Sequence, residues 1–171
     1  MRTKILSILI LLFQLPVLAF SQDNTVLEII SASNHNSDLI NYYKAVPKDT
    51  MRLRIIEKAR EYIGVDYKWG ESGANGFDCS GYVKYIYDQF GYKLPHSSYE
   101  QYNASRRLIE SKAKPGDLVF FVTRGNRISH VGIYLGNKSF IHAPSTGKQV
   151  RIESLDTGFF RKTLAGFGTL L

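Results

Sequence analysis

The sequence has one cysteine, Cys79, among its 171 residues. An internal disulfide and a zinc site built on a Cys-x-x-Cys pair are therefore excluded, and Cys79 lies too far from the N-terminus to be the acylated residue of a lipoprotein signal. Proline is scarce, with five residues, and the fourteen glycines follow no period, which excludes a collagen-like or low-complexity chain. Eleven Tyr and ten Phe argue against intrinsic disorder. The composition indicates one globular domain.

Long apolar runs are also absent, except at the N-terminus. Two basic residues precede an apolar run over residues 5–20, and Ala19 and Ser21 are small enough for signal peptidase. We predict a signal peptide over residues 1–21, cleaved before Gln22. The alternative is an uncleaved anchor, but the run is shorter than the roughly 20 residues of a membrane span. The mature chain is expected to be secreted or periplasmic, in the cell envelope, without a stable membrane span.

The charge of the mature chain is moderately basic. Without Arg2 and Lys4, twenty Lys and Arg residues remain against fifteen acidic residues. The densest basic cluster, residues 52–60, is interleaved with Glu57 and Glu61, which favours a solvated helix face over a nucleic-acid site. We therefore expect no nucleic-acid partner. An anionic envelope polymer is the electrostatic partner that fits a secreted protein.

Hydrophobic periodicity predicts three helices in a domain over residues 48–171, after a linker or short N-terminal extension over residues 22–47. The first predicted helix has apolar residues four apart and ends near Gly64. The second begins after Asp78, which is its N-cap, and ends at Gly91. The third begins with a capping box between Ser98 and Gln101. The apolar faces of the first two helices consist of Met51, Ile55, Ala59, Ile63, and of Val83, Ile86, Tyr87, Phe90.

The second half of the chain has the short, β-rich runs of an antiparallel sheet. The predicted strands are residues 118–122, 130–135, 139–142, 150–152 and a last one near Phe167. The connections are too short for crossover helices. The predicted fold class is therefore α+β, with an N-terminal helical half packed on an antiparallel β-sheet.

Cys79 is predicted to lie in the first turn of the second helix. The unpaired backbone N–H groups at a helix N-terminus favour a thiolate over a thiol. A free cysteine has a pKa of about 8.5, and such a site together with an imidazolium lowers it to roughly 3.5 to 7.5. Cys79 is thus a candidate nucleophile, and nearby backbone N–H groups are candidates for an oxyanion hole. The structural alternative is a small buried apolar residue.

His130 and His142 lie on two strands joined by a tight turn. This spacing predicts that His142 lies within about one position of opposite His130, on the same face. In a Cys/His/third-group triad, His130 would exchange a proton with the sulfur and the leaving group, and His142 would orient His130. Structural histidines, or a Cys/His/His metal site with Cys79, are the alternatives. Zinc ligands commonly occur as close sequence pairs, which favours catalysis.

Five ordered motifs resemble the NlpC-type cell-wall (murein) cysteine endopeptidases: YKWG at 67–70, FDCSG at 77–81, KPGDLVFF at 114–121, HVGIYLG at 130–136 and FIHA at 140–143. The resemblance implies a papain-like fold without a metal or organic cofactor. It also implies hydrolysis of peptidoglycan stem peptides, typically at the bond between the side-chain carboxyl of D-glutamate and a diamino acid. Cys79 would be the nucleophile, His130 the base and then acid, and His142 the orienting residue.

The resemblance also implies that Tyr67 forms hydrogen bonds beside the sulfur and that Asp78 binds a substrate amine. Packing for Tyr67 and helix capping for Asp78 are the structural alternatives. Two residues differ from the family pattern: Glu71, where a second glycine is usual, and His96, where an arginine is common. Two alternative functions remain open, a non-catalytic murein-binding module and an acyltransferase or amidase on the same scaffold.

Overall fold

The structure is a computed structural model that describes residues 46–73 and 75–171. The predicted signal peptide and nearly all of the predicted linker lie outside the described residues. The helices are α1 (Lys48–Arg60), α2 (Cys79–Asp88), α3 (Ser98–Ala104) and α4 (Gly158–Thr163). The strands are β1 (Ser72–Gly73), β2 (Gly76–Phe77), β3 (Arg106–Leu108), β4 (Leu118–Phe121), β5 (His130–Gly136), β6 (Ser139–His142), β7 (Arg151–Ser154) and β8 (Leu164–Thr169). Within the described ranges, no helix is long and apolar enough to cross a membrane.

Helix α1 buries one face through residues spaced four apart. Met51, Ile55 and Ala59 are at most 1 % exposed, as predicted. The prediction for Ile63 is wrong, because the helix ends at Arg60 and Ile63 lies in the following turn with its side chain exposed. The turn leads into Gly64, whose positive φ of 91° suits glycine.

Helices α2 and α3 are held together at their N-termini. The Asp78 carboxylate caps α2 by accepting a hydrogen bond from the backbone N–H of Gly81, as predicted. The predicted capping box of α3 is wrong by one residue, because the N-cap is Ser97 and its hydroxyl accepts from the N–H of Glu100. Gln101 is buried, and its side-chain amide donates to the carbonyl oxygen of Ser80. This bond fixes α3 against the first turn of α2.

The sheet is antiparallel and has the strand order β3-β8-β4-β5-β6-β7. All five predicted strands are present within a few residues of their predicted bounds, whereas β3, α4 and the β1–β2 hairpin were not predicted. The α+β fold class is confirmed. Alternate residues of β4 face opposite sides: Leu118 and Phe120 pack in the core shared with the helical half, and Val119 and Phe121 pack in a second core with Phe160 of α4.

Candidate active site

A cleft of about 630 Å³ lies between the start of α2 and the start of β5. Tyr67, Asp78, Cys79 and His130 all line this cavity, which we call the first cavity. The antiparallel pairing of β4 with β5 places His130 opposite Phe121, at the end of the strand. The fold therefore brings the N-terminus of α2 and the first residues of β5 to one site, although they are 51 positions apart in the sequence.

Cys79 is the first residue of α2, and its side chain is partly exposed. The backbone N–H groups of Val131 and Ser80 and the Ser80 hydroxyl lie close enough to the sulfur to favour its charged form. Because Val131 follows His130 on β5, the sulfur lies against the strand that begins with His130. The three predicted site residues at the sulfur, Tyr67, Asp78 and His130, thus share one cavity with it.

The pKa of Cys79 differs from the sequence prediction. Burial, followed by the negative charge of Asp78, raises the pKa of the thiol to about 11, although the nearby polar groups of Val131 and Ser80 act in the opposite direction. The predicted lowering of this pKa is therefore wrong for the structure without substrate. The sequence prediction took account of the partial positive charge at the helix N-terminus. It did not include the burial of the sulfur by the surrounding protein or the negative charge of the Asp78 carboxylate. The resting side chain is a thiol.

His130 and His142 contact each other directly. His130 Nε2 lies 2.7 Å from His142 Nδ1, and the two rings are nearly perpendicular. Both side chains are buried. Burial, followed by the charge that His142 would carry, lowers the pKa of His130 to about 3, and burial also lowers the pKa of His142. The resting pair is therefore two neutral imidazoles joined by one hydrogen bond.

The strand register differs by one residue from the predicted one. Ile133 pairs with Ile141, so the ladder continues to Gly132 opposite His142, two residues from His130. A β-bulge between Tyr134 and Gly136 accounts for the shift. An offset of two keeps both imidazoles on one face, as predicted, whereas an offset of one would separate them.

Gly132 provides the space for this diagonal contact. A Cβ atom at Gly132 would lie 2.8 Å from Phe140 Cδ2 and 3.2 Å from His142 Cβ. A side chain at this position would therefore clash with the Phe140 ring and crowd the Cβ atom of His142. Gly132 belongs to the HVGIYLG motif, but its role depends on a register that the sequence does not give.

Sequence reasoning also missed Glu153. Its Oε2 atom lies 3.5 Å from His142 Nε2, which is longer than a strong hydrogen bond but close enough for the carboxylate to act electrostatically on the imidazole. His142 and Arg151 lower the pKa of Glu153, which forms an ion pair with Arg151. Glu153 lies on β7 beside the strand of His142, so strand pairing rather than any sequence motif brings the two together.

Tyr67 and Asp78 lie in the wall of the first cavity. Burial, followed by the charges of Cys79 and Asp78, raises the pKa of Tyr67 to about 12, so its hydroxyl group is protonated. The Asp78 carboxylate accepts hydrogen bonds from the N–H groups of Gly70 and Gly81 and from the Ser80 hydroxyl. These bonds show that Asp78 has a structural role whether or not it contacts substrate.

The two departures from the family pattern lie next to Asp78. The His96 ring is 3.2 Å from Asp78 Oδ2, and the backbone carbonyl of Glu71 accepts a hydrogen bond from the Asp78 N–H group. A Cβ atom at Gly81 would lie 2.1 Å from the same carbonyl oxygen. Glu71 thus supports the helix N-terminus through its backbone. Among residues 46–73 and 75–171, no group of three or more His, Cys, Asp or Glu side chains is arranged to hold a metal ion.

Comparisons with known proteins agree on one family. Residues 64–169 match the NlpC/P60 family. A probable endopeptidase p60 of Listeria monocytogenes is 46 % identical over 114 residues, covering 67 % of this chain and 23 % of the relative. An Escherichia coli protein, named murein DD-endopeptidase MepS/murein LD-carboxypeptidase, is 40 % identical over 113 residues, covering 66 % of this chain and 59 % of the relative. The match thus spans about a quarter of the length of that p60 relative.

The fold comparison gives the same result. An NlpC/P60 family protein from Bacillus cereus superposes with a TM-score of 0.66 at 28 % identity, covering 69 % of this chain and 39 % of the other.

Proposed function

The chain belongs to the NlpC/P60 family, whose fold is papain-like, and on this premise we propose that it is a cysteine endopeptidase that hydrolyses peptidoglycan stem peptides. The observation that carries the proposal is the shared first cavity of Cys79 and His130, with the sulfur against the N–H group of Val131 and His130 bonded to His142. A nucleophile, a base and an orienting group are the parts that acyl transfer through a covalent intermediate requires.

Because the resting pair is a neutral thiol and a neutral imidazole, the reaction begins with a proton transfer. His130 takes the proton from Cys79 as the sulfur attacks the carbonyl carbon, and backbone N–H groups at the start of α2 stabilise the oxyanion. The imidazolium of His130 then donates this proton to the leaving amine as the C–N bond breaks. His130 next takes a proton from water, which attacks the thioester and releases the acid and the free thiol.

His142 and Glu153 select the tautomer that this sequence requires. His130 uses Nε2 for His142, so Nδ1 is the nitrogen that remains for the sulfur. When Nδ1 accepts a proton, Nε2–H donates to His142 Nδ1, and His142 Nε2–H then points to Glu153 at 3.5 Å. The carboxylate thus favours the one pair of neutral tautomers that leaves His130 able to act as a base.

Tyr67 and Asp78 serve the acyl half of the substrate in this proposal. The Tyr67 hydroxyl is protonated and lies near the sulfur, so it donates a hydrogen bond to the substrate. Asp78 binds a substrate amine with the oxygen lone pairs that its helix cap leaves available. An Asp78→Asn variant tests this role. If substrate binding depends on the Asp78 carboxylate, the variant should have a higher KM than the wild type for a stem peptide with a free amino group. Its KM for the same stem peptide with that amino group acetylated should be unchanged.

The bond proposed is that between the side-chain carboxyl of D-glutamate and the diamino acid. The name of the Escherichia coli relative indicates a DD bond for that protein, so both bonds are to be tested. The signal peptide over residues 1–21 is proposed to deliver the chain to the cell envelope. The N-terminal sequence of the exported protein tests this, with Gln22 expected as its first residue.

The central experiment is product analysis with the mature chain, residues 22–171, and purified stem peptides. The wild type is expected to release fragments cut at the D-glutamyl bond, and Cys79→Ser to release none while unfolding at the same temperature. Stem binding by both proteins without products would support the non-catalytic module. Products joined to an added amine, formed faster than hydrolysis, would support the acyltransferase.

A further inference from the structure

A second cavity of about 650 Å³ continues from the first past His130. Thr123, Arg124, His130 and Pro144 line both cavities. Cys79 lines only the first, whereas residues beyond the imidazole pair, such as Glu153, line only the second. The site therefore has two sides, and His130 stands at their junction.

The reaction assigns one half of the substrate to each side. The carbonyl carbon must reach the sulfur of Cys79, so the acyl half lies in the first cavity. The leaving nitrogen must reach His130, which protonates it. The chain that follows this nitrogen extends beyond His130, and the second cavity is the space that it enters.

The second cavity carries an excess of positive charge. Arg124, Lys148 and Arg151 line it, against the single acidic residue Glu153. Arg151 and Glu153 form an ion pair. Arg124 and Lys148 are exposed and make no ion pair with any residue in the described part of the chain. Two cationic groups therefore remain for a ligand.

An aromatic wall accompanies these charges. Phe159 is 57 % exposed, and Phe160 packs beside it against His142. A ligand that satisfies both features has an aliphatic portion and a carboxylate. A diaminopimelate residue in a stem peptide has both, because the second carbon centre at the end of its methylene chain carries a carboxylate that is not used in the peptide chain.

We propose that the second cavity is the subsite for the leaving half of the substrate, and that Arg124 and Lys148 select a free carboxylate there over its amide. The inference rests on the proposed function, because the assignment of sides follows from the reaction. It adds a specificity determinant: stem peptides whose diaminopimelate residue has an amide in place of its free carboxylate are poor substrates.

Two stem peptides with the same acyl half, one with a free carboxylate and one with an amide on the diaminopimelate residue, test the proposal. The wild type is expected to have a kcat/KM at least roughly tenfold higher for the carboxylate, the gain from one hydrogen bond to a charged group. Lys148→Ala and Arg124→Ala should each reduce this ratio, and the double variant should bring it near one. Lys112→Ala, which removes an exposed cation outside both cavities, should keep the wild-type ratio.

A binding measurement keeps this test separate from the proposed function. Diaminopimelyl-D-alanine and its diaminopimelate amide are titrated into the wild type and into the double variant by calorimetry. Tighter binding of the carboxylate form by the wild type, lost in the double variant, supports the subsite even if no stem is cleaved. Equal cleavage or equal binding of the two forms by the wild type overturns the inference and leaves the proposed hydrolysis standing.

Discussion

Acidification should destabilise the fold through the buried histidine pair. The His130 side chain is 4 % exposed, and its pKa falls from about 6.5 to about 3 on folding. Below pH 6.5 the unfolded chain binds a proton at this residue that the folded chain excludes, so stability is lost as the pH falls from 6.5 towards 3. Between pH 7 and pH 5 this linkage amounts to about 2 kcal/mol for His130. His142 acts in the same direction.

Urea unfolding of residues 22–171 at pH 7 and pH 5 measures this loss. The wild type should lose at least about 2 kcal/mol of unfolding free energy over this interval. The glutamine in His130→Gln cannot take up the proton in either state. The unfolding free energy of this variant should therefore fall by about 2 kcal/mol less than that of the wild type over the same interval. Equal losses in the two proteins, or a wild type that is as stable at pH 5 as at pH 7, would refute the buried neutral state of His130.

Three further predictions concern the sulfur, the carboxylate behind the imidazoles and the scaffold. Because the pKa of Cys79 is raised to about 11, iodoacetamide at pH 7 should alkylate it roughly tenfold more slowly than free cysteine, and rapid labelling at pH 6 would contradict this. Glu153→Leu, which removes the acceptor that faces His142 Nε2, should lower kcat roughly tenfold because the tautomer of His142 is no longer fixed, and an unchanged kcat would exclude the role. Arg52→Met leaves the Asp117 carboxylate buried without its ion-pair partner at 2.8 Å and should cost about 3–5 kcal/mol in urea unfolding, whereas a loss below 1 kcal/mol would show that the pair contributes little.

Local patterns in the sequence predict the elements well where one face of an element is buried. The four-residue spacing of Met51, Ile55 and Ala59 gives the buried face of α1, because helix periodicity and burial coincide there. The same spacing fails at Ile63, because the pattern does not specify where the helix ends. The capping error between Ser97 and Ser98 has a similar cause, since both residues are suitable caps and the sequence pattern does not distinguish them.

The site was predictable in its residue types but not in its electrostatics. The motifs mark Cys79 and both histidines as candidates, and the hairpin explains why His130 and His142 share a face. The pKa of Cys79 is raised mainly because the surrounding protein buries the sulfur, and no local sequence pattern predicts that burial. Glu153 is similarly invisible, because it reaches His142 through the pairing of β6 with β7.

The central claim is that the sulfur of Cys79 becomes acylated by the stem peptide. A rapid acid quench during turnover, followed by mass spectrometry of the digested protein, measures this directly. We expect the acyl half of the substrate on the peptide that contains Cys79, with neither this adduct nor products in Cys79→Ala. Undiminished release of products by Cys79→Ala would contradict the account.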